Sequence, residues 1–583
     1  MPQIQDGDNI TRIIPGAYGS RRVASEVPGP LPNFLIPIIV GQADQGIPQG
    51  FETDALRFSF ENDGPFRRCN TASSVATLYG ADSDLRVMMT YAQRHGLPSC
   101  FFIAANSLTR GTVNATSTGP VNQITIRPEL WGAAPGWDKI KWTSNTWTIQ
   151  RVSNITALTA DAATSATRLY VKNSSWFTPG QTIEYGANNV ANVTGIVKAV
   201  GTEYTASGQL RPYIDLTAGI AGGITIAEYA QVAAYQTSTQ SKGGLTTVDL
   251  LVAGINTVGG FAAAKHADST NVLPAAVSSL VAFKDLSVWG AVTDGTAPAL
   301  TTTNITNFVT YMDATGWTRF ATTTGTIPRA FLLGSGSATN HATMRDYAVT
   351  RRQAGYPVSI MAGCDWGDTV VSAGDSTSPA FRAGVLNSED FELVANGMNL
   401  LAPYLSTAPA VFGRMVGGGV VHNLTNDLFI GVEAWEKVWS ESAADLETLC
   451  RAGVITNRLS LDNGVQWVVS QGLNTLQGNT GPIWNEVDQT TWSVMQLNIA
   501  DFVDRVLKQD FQTNVVGADG IDAAAVQQTL YRRAQKSLLN VYITEFRIVS
   551  VTPNSAGSGW DVQWSVRPVR TTDYIVYTTT ILV

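Results

Sequence analysis

A glycine-rich turn, Gly334-Ser335-Gly336-Ser337-Ala338, directly follows the apolar run Ala330 to Leu333, and His341 and Asp346 lie just beyond it. A turn of this kind after a strand can cradle a phosphate, and serine, histidine and aspartate are the members of a hydrolytic triad. Neither chemistry survives the detail. The turn lacks the Gly-Lys-Ser/Thr of a phosphate loop, and the dinucleotide fingerprint lacks its third glycine and a clear acidic partner after the next strand. The Gly-x-Ser-x-Gly elbow is absent there, and one local loop seldom supplies a whole triad. Asp365 and Asp368, flanking Trp366, form a carboxylate pair with no evident partner, the usual state of solvated loop acids. Cys69, Cys100, Cys364 and Cys450 sit far apart, with no Cys-x-x-Cys and no histidine at ligand spacing. They read as small buried hydrophobes in a reducing compartment, with bridging between copies after release from a cell left open. No catalytic residue, cofactor or metal is expected.

Trp131, Trp137, Trp142, Trp147 and Trp176 invite a sugar-stacking reading. Without acidic or amide partners at repeated spacing, they are expected to fill a small β core. Charged residues are 14% and apolar ones 44% of 583 residues, and a net charge of −8 leaves no basic footprint for nucleic acid. The start lacks the basic and apolar regions of a signal peptide, and no uninterrupted apolar run approaches ~18 residues. The expectation is a soluble chain made in the cytosol, without membrane insertion, of about three or four domains.

The elements that would position these residues follow in chain order. Residues 1–30 interleave Ile10, Ile13, Ile14, Tyr18 and Val23 with prolines and glycines, an extended arm without a core. Leu35 to Gly41 reads as a strand buried on both faces. Leu85, Met88, Met89 and Ala92 mark a helix face, and Cys100 to Ala104 a second strand. Leu169–Lys172, Phe177–Tyr185, Val193–Val200 and Tyr213–Leu216 recur at hairpin spacing, a small antiparallel barrel or sandwich. The runs Leu250–Gly254, Val288–Val292, Ala330–Gly334 and Val358–Gly363 read as strands of a resumed α/β layer, with Ile305, Phe308, Val309 and Met312 on one helix between them. Phe391, Val394, Ala395, Met398, Leu401 and Ala402 suggest a further helix face. A helix start at Asn498 leads to Ile499, Phe502, Val503, Val506 and Leu507 on one face, and Asp522 caps a second helix. Strands Tyr542–Val549, Trp560–Val566 and Tyr574–Val583 follow, the last without Pro, Gly or charge to blunt a free edge.

The fold class expected is therefore an α/β core of mostly parallel sheet with flanking helices, an inserted antiparallel β domain, an α+β C-terminal domain and extended arms at both ends. The expected limits are an arm at 1–30, an α/β domain at 31–115 and 239–480, an inserted β domain at 116–238, a C-terminal domain at 481–570 and an arm strand at 571–583.

Between 408 and 476 the order is an Ala408-Pro409 segment with Gly413, a helix ending Leu449-Cys450-Arg451-Ala452-Gly453-Val454, and a hairpin closing Gly472-Leu473-Asn474-Thr475. This order resembles the tail sheath proteins of contractile bacteriophages. Pro15-Gly16-x-Tyr18 ahead of a strand ending Val40-Gly41, Leu78-Tyr79-Gly80 before the Leu85 helix, the inserted β module and the final strand agree with it. The resemblance implies a structural, non-enzymatic virion subunit that self-assembles as stacked hexameric rings around a tail tube protein. It implies baseplate and tail terminator proteins as further partners, assembly in the host cytoplasm, and contraction for genome ejection. The last domain would then face the tube, with Asp501, Asp504, Arg505, Lys508, Arg532, Arg533 and Lys536 as exposed candidates. Thr11, Ile13, Ile14, Tyr18 and Val23, with Tyr574, Val576, Thr578 and Ile581, would exchange strands between copies. Two rival readings remain, a surface-layer or carbohydrate-binding structural protein acting through the tryptophan-rich module, and an α/β hydrolase.

Overall fold

The computed structural model describes residues 4–5, 11–12, 34–46, 66–108, 113–285, 300–364, 374–395, 407–429, 443–460, 466–476, 493–515, 522–553 and 559–569, with short breaks inside several of these stretches. The chain divides into two compact units. One comprises Met1–Phe34, Gly418–Asn423 and Gly481–Val583; the other comprises Leu35–Gly417 and Leu424–Thr480.

The larger unit is built on a seven-stranded sheet. Its order is Val454–Ile455, Phe391–Val394, Ser359–Gly363, Ala330–Leu333, Pro37–Gly41, Cys100–Ala104 and Arg67–Cys69. All neighbours run parallel except the short Arg67–Cys69 edge strand. The four strands from Pro37, Ala330, Ser359 and Phe391 are buried along their whole length, as continuous apolar runs covered on both faces must be. Ile38, Val40, Phe331, Leu333, Ile360, Phe391 and Leu393 pack there with Ile305, Phe308, Met312 and Phe320 from the helices after Thr301. The helix Asp84–Arg94 buries Leu85, Met88, Met89 and Ala92 as its spacing requires, capped by Ser83.

Two expectations fail in this unit. Leu250–Gly254 is not a strand but part of the helix Val248–Val258. Val248, Leu251 and Ile255 are buried while Leu250 is exposed, a three-and-four spacing that the apolar run concealed. The Thr247 hydroxyl accepts from Leu250 N at 3.2 Å and closes the first turn. Phe391 to Val394 is a strand rather than the start of a helix face, because an interior position between two parallel neighbours buries all four side chains at once. Met398, Leu401 and Ala402, like Val288–Val292, lie outside the described residues.

An eight-stranded antiparallel sheet curls beside this layer within the same unit. Its order is Arg168–Tyr170, Leu210–Leu216, Val193–Tyr204, Thr182–Gly186, Gln231–Ser241, Thr146–Ala157, Lys139–Trp142 and Leu280–Asp285. Its core is mostly aliphatic, with Leu169, Val171, Phe177, Ile183, Val197, Ile214, Leu216 and Val232. A separate three-stranded sheet joins Phe261–Lys265, Asn122–Pro128 and Val113–Thr116.

The helix Ala408–Gly418 closes on the end of Asp84–Arg94. A Cβ at Gly413 would stand 2.3 Å from the Ala92 carbonyl oxygen, and one at Gly417 would stand 2.4 Å from that of Gly96. Glycine is required there because two backbones meet.

In the smaller unit the helix Val494–Asn514 buries Ile499, Phe502, Val503, Val506 and Leu507. It begins four residues before the expected Asn498, since buried Val494 and Met495 extend the apolar stripe upstream. The second helix, Ala523–Arg533, has the expected cap: the Asp522 carboxylate accepts from Ala525 N at 2.8 Å. The hairpin Ile543–Pro553 with Trp560–Pro568 completes what is described there, half-burying one face and exposing the other. Ile4–Gln5 pairs antiparallel with Thr11–Arg12.

Candidate functional site

The parallel sheet has one topological switch point. The chain's first sheet strand, Pro37–Gly41, lies between Cys100–Ala104 and Ala330–Leu333, so later strands are added first on one side of it and then on the other. In open α/β sheets the crevice at the carboxyl ends of such a pair is where ligands bind. The Gly334 turn is at that place. Here the crevice is filled. Gly334 N donates to Val40 O at 2.7 Å, and the Met88 methyl lies 2.6 Å and 2.7 Å from where Cβ atoms would stand on Gly41 and Gly334. Met88, Gly41 and Gly334 carry no chemical signature, so reasoning from reactive residue types passed over them.

The triad types are near one another in sequence but not in a reactive arrangement. His341 is fully buried on the helix Ala338–Gln353, and its Nε2 donates to the Ser335 carbonyl at 2.7 Å. Burial first, and the nearby Arg382 second, push its pKa down to about 3, so the ring is neutral. The Ser335 hydroxyl instead accepts from Asn340 Nδ2 at 2.7 Å. The Asp346 side chain is 71% exposed and takes a hydrogen bond from Arg345 Nε at 2.7 Å. Asp365, Asp368 and Trp366 lie outside the described residues. Among the described residues no group of histidine, cysteine, aspartate and glutamate could hold a metal, and no helix is long and apolar enough to cross a membrane.

The buried polar chemistry of the larger unit lies elsewhere, in two clusters that connect elements. At the first, the Asp82 carboxylate accepts from the Thr156 hydroxyl and Ala157 N, both at 3.1 Å, and Lys172 Nζ reaches Asp84 at 2.8 Å. Arg86 lies 3.4 Å above the Trp176 ring, which takes that face out of reach of a sugar. The side chains of the other four tryptophans are outside the described residues. Burial raises the pKa of both Asp44 and Asp82, against the pull of Lys172. This cluster ties the curled sheet to the start of the Asp84–Arg94 helix.

At the second cluster, Glu392 stands fully buried in its strand beside Ser359, whose hydroxyl lies 2.9 Å and 2.8 Å from its two carboxylate oxygens. Burial pushes Glu392 up to about 8, opposed by Ser359 and Arg329. One step along, Arg352 binds Asp390 through two contacts of 2.6 Å. Both clusters fasten strands and helices to one another.

The smaller unit holds the seven charges expected on an exposed face. Lys508 and Lys536 are exposed, and Asp504, Arg505 and Arg532 are half-buried. Asp501 and Arg533 are corrections to that expectation, at 7% and 2% exposed. Arg533 faces Asp510 at 3.5 Å, and Asp501 lies on the buried side of the helix next to Phe502. Asp504 accepts from Trp564 Nε1 at 2.9 Å, and Arg505 lies 5.9 Å over the Phe34 ring. Of the arm residues, Thr11 is in the short paired strand, while Ile13, Ile14, Tyr18, Val23, Tyr574, Val576, Thr578 and Ile581 lie outside the described residues.

No protein-family model matches the sequence, and no curated protein matches it. Solved structures do match in fold. A sheath tail protein from Listeria innocua aligns over 93% of each chain with a TM-score of 0.50 at 11% identity. A sheath tail protein from Desulfitobacterium hafniense aligns over 95% of this chain and 100% of its own, with a TM-score of 0.46 at 12% identity. The helical sheath of the anti-feeding prophage in its contracted state aligns over 50% of this chain and 78% of its own, with a TM-score of 0.34 at 14% identity. A mostly parallel sheet with its switch-point crevice filled, a curled antiparallel sheet and a helix-backed hairpin thus belong to a chain that shares, over nearly its full length, the fold of the Listeria innocua sheath tail protein.

Proposed function

We propose that the chain is a structural subunit of a contractile tail sheath, not an enzyme, which polymerises as stacked rings around a tail tube and contracts to drive the tube through a host envelope. The full-length likeness of fold carries this reading. The filled crevice at the switch point fits a protein that works by its surfaces rather than by turnover. In this reading the partners are further copies in hexameric rings, the tube protein, and the baseplate and terminator proteins at the two ends of the tail. The particle is assembled in a host cytoplasm and the subunit resides in its tail.

The domain limits expected above are part of the proposal: arms at 1–30 and 571–583, an α/β body, an outer β module at 116–238 and a tube-facing unit at 481–570. The pairing of Leu280–Asp285 with Lys139–Trp142 extends the module beyond 238. The arms donate strands to neighbouring copies, and the Ile543–Pro553 hairpin is the natural acceptor, since neither of its strands has another ladder partner among the described residues. At about 1 kcal/mol net per hydrogen bond, a donated strand of about five bonds holds by about 5 kcal/mol before ordering entropy, enough when many copies act together. The half-buried and exposed charges Asp504, Arg505, Lys508, Arg532 and Lys536 are the tube-facing candidates that remain; screened surface pairs release readily on contraction. Electron microscopy of the purified protein tests the reading. Tubes or rings of regular diameter are expected, and dispersed monomers at high concentration would overturn it.

A further inference from the structure

Two of the four cysteines occupy opposed positions across a strand pair. The three-residue edge strand Arg67–Cys69 runs antiparallel to Cys100–Ala104, with Cys69 directly opposite Cys100. Directly opposed residues of an antiparallel ladder project to the same face, with Cα atoms about 4.5–5.5 Å apart. A disulfide spans about 4.4–6.8 Å between Cα atoms, so the register itself brings the pair within bridging range; closing the bond turns the Cys100 side chain away from the Pro37 carbonyl oxygen, from which its sulfur lies 3.4 Å. Both thiols are free, at 2% and 1% exposed. The other two cysteines are placed differently. Cys364 follows the end of the Ser359–Gly363 strand, and Cys450 is in the helix Ala443–Arg451 with its sulfur near the Thr456 and Ser470 hydroxyls.

We infer that Cys69 and Cys100 form a dithiol that closes to an intrachain disulfide when the folded chain meets an oxidising solution, fixing the outermost strand of the sheet to its neighbour. While the edge strand stays paired, neither thiol is a ready nucleophile. Burial pushes the Cys69 thiol up to about 11 and the Cys100 thiol well above its ordinary value. Reaction therefore passes through local opening of the edge strand, which is short enough to fray without unfolding the sheet. With a low-molecular-weight disulfide RSSR as oxidant, Cys69 loses its proton and its sulfur attacks RSSR, releasing one RSH and leaving a mixed disulfide. Cys100 then loses its proton, attacks the Cys69 sulfur and releases the second RSH. The two cysteines are together oxidised by two electrons, and RSSR is reduced to two RSH. The bridge closes a loop of about thirty residues that holds the helices Ala72–Tyr79 and Asp84–Arg94 entire, constraining the unfolded chain more than the folded one.

The test uses the full-length protein incubated with oxidised glutathione under native conditions, then denatured in an alkylating agent and mapped as non-reduced peptides. Two of the four thiols should disappear, with the Cys69 peptide linked to the Cys100 peptide of the same chain. Reductant should reverse the link, and the oxidised protein should unfold several degrees higher. The Cys364→Ser, Cys450→Ser double variant should form the same link, and Cys69→Ser should form none. Four thiols retained after prolonged incubation, or a link that joins other cysteines or separate chains, would overturn the inference. The peptide map of the unsubstituted protein decides even if a serine variant does not fold.

Discussion

The seven-stranded sheet of the larger unit and the two-stranded hairpin of the smaller one are opposite solutions to the same problem of backbone hydrogen bonding. In the first, Pro37–Gly41, Ala330–Leu333, Ser359–Gly363 and Phe391–Val394 are each paired on both sides and buried on both faces. In the second, Ile543–Pro553 and Trp560–Pro568 pair with each other and leave their outer edges without a further strand among the described residues. Helices half-bury Phe546, Ile548 and Trp564 from one side, while Glu545, Arg547 and Val549 are exposed on the other. Strands paired on both sides and covered on both faces hold a fold together, whereas a ladder with open edges is suited to hold copies together.

The most severe way to break this comparison is to remove the strand proposed to be donated. A chain ending at Arg570 should keep the thermal unfolding of the full chain by calorimetry and form no tubes by electron microscopy. Tubes of normal diameter would refute strand exchange, and an unfolded product would make 571–583 an internal element of the fold.

The closed unit should instead be sensitive to volume. Gly413→Val drives a side chain into the Ala92 backbone, which cannot yield, and should cost about 3 kcal/mol in urea unfolding. Gly41→Ala meets the Met88 methyl at 2.6 Å and the Leu85 Cδ2 at 3.1 Å, both free ends of flexible side chains, and should cost about 1 kcal/mol. Equal costs would mean that the filled crevice is as rigid as the helix contact.

The closed unit should also respond to pH through two groups buried in its core. Glu392 titrates at about 8 in the folded state against an ordinary 4.5, so its contribution to stability is complete below about 4.5 and is lost as pH rises through about 8. His341 acts in the opposite sense: its pKa falls from 6.5 to about 3, so its contribution is present above about 6.5 and lost as pH falls towards about 3. Glu392→Gln should therefore flatten the alkaline decline, by up to about 1.4 kcal/mol per pH unit, and leave the acid limb unchanged. A slope identical to that of the parent would show that Glu392 is already ionised in the fold.

The smallest effect on folding is expected at Val549, which is 57% exposed on the open ladder. Val549→Lys should change unfolding stability by less than about 0.5 kcal/mol. It should nevertheless raise the protein concentration needed for tubes if that face meets another copy. A large loss of stability would place Val549 in a folding contact instead.

Much of the body was legible because its strands are short apolar runs punctuated by glycine, as at Val40-Gly41 and Leu333-Gly334. The helix of Leu85, Met88, Met89 and Ala92 announced itself by period. The same reading failed where the signals overlap. A run of four apolar residues and a glycine at Leu250 fits either a strand or one turn of a buried helix, and Phe391 with Val394 and Ala395 happens to match helical spacing. The candidate triad was set aside on its missing elbow motif and its single local loop, and the structure adds that His341 bonds a carbonyl and Asp346 stands in solvent.

The sequence by itself determined which segments of the body must be buried, as at Leu35–Gly41 and Ala330–Leu333, because this follows from local composition and period. Only the tertiary structure decided that Met88 fills the switch-point crevice, that Lys172 meets Asp84, that Glu392 stands beside Ser359, and that Cys69 lies opposite Cys100. Each of these joins residues about thirty to ninety positions apart or more, and no local period records a contact whose partners are set by the strand order of a sheet.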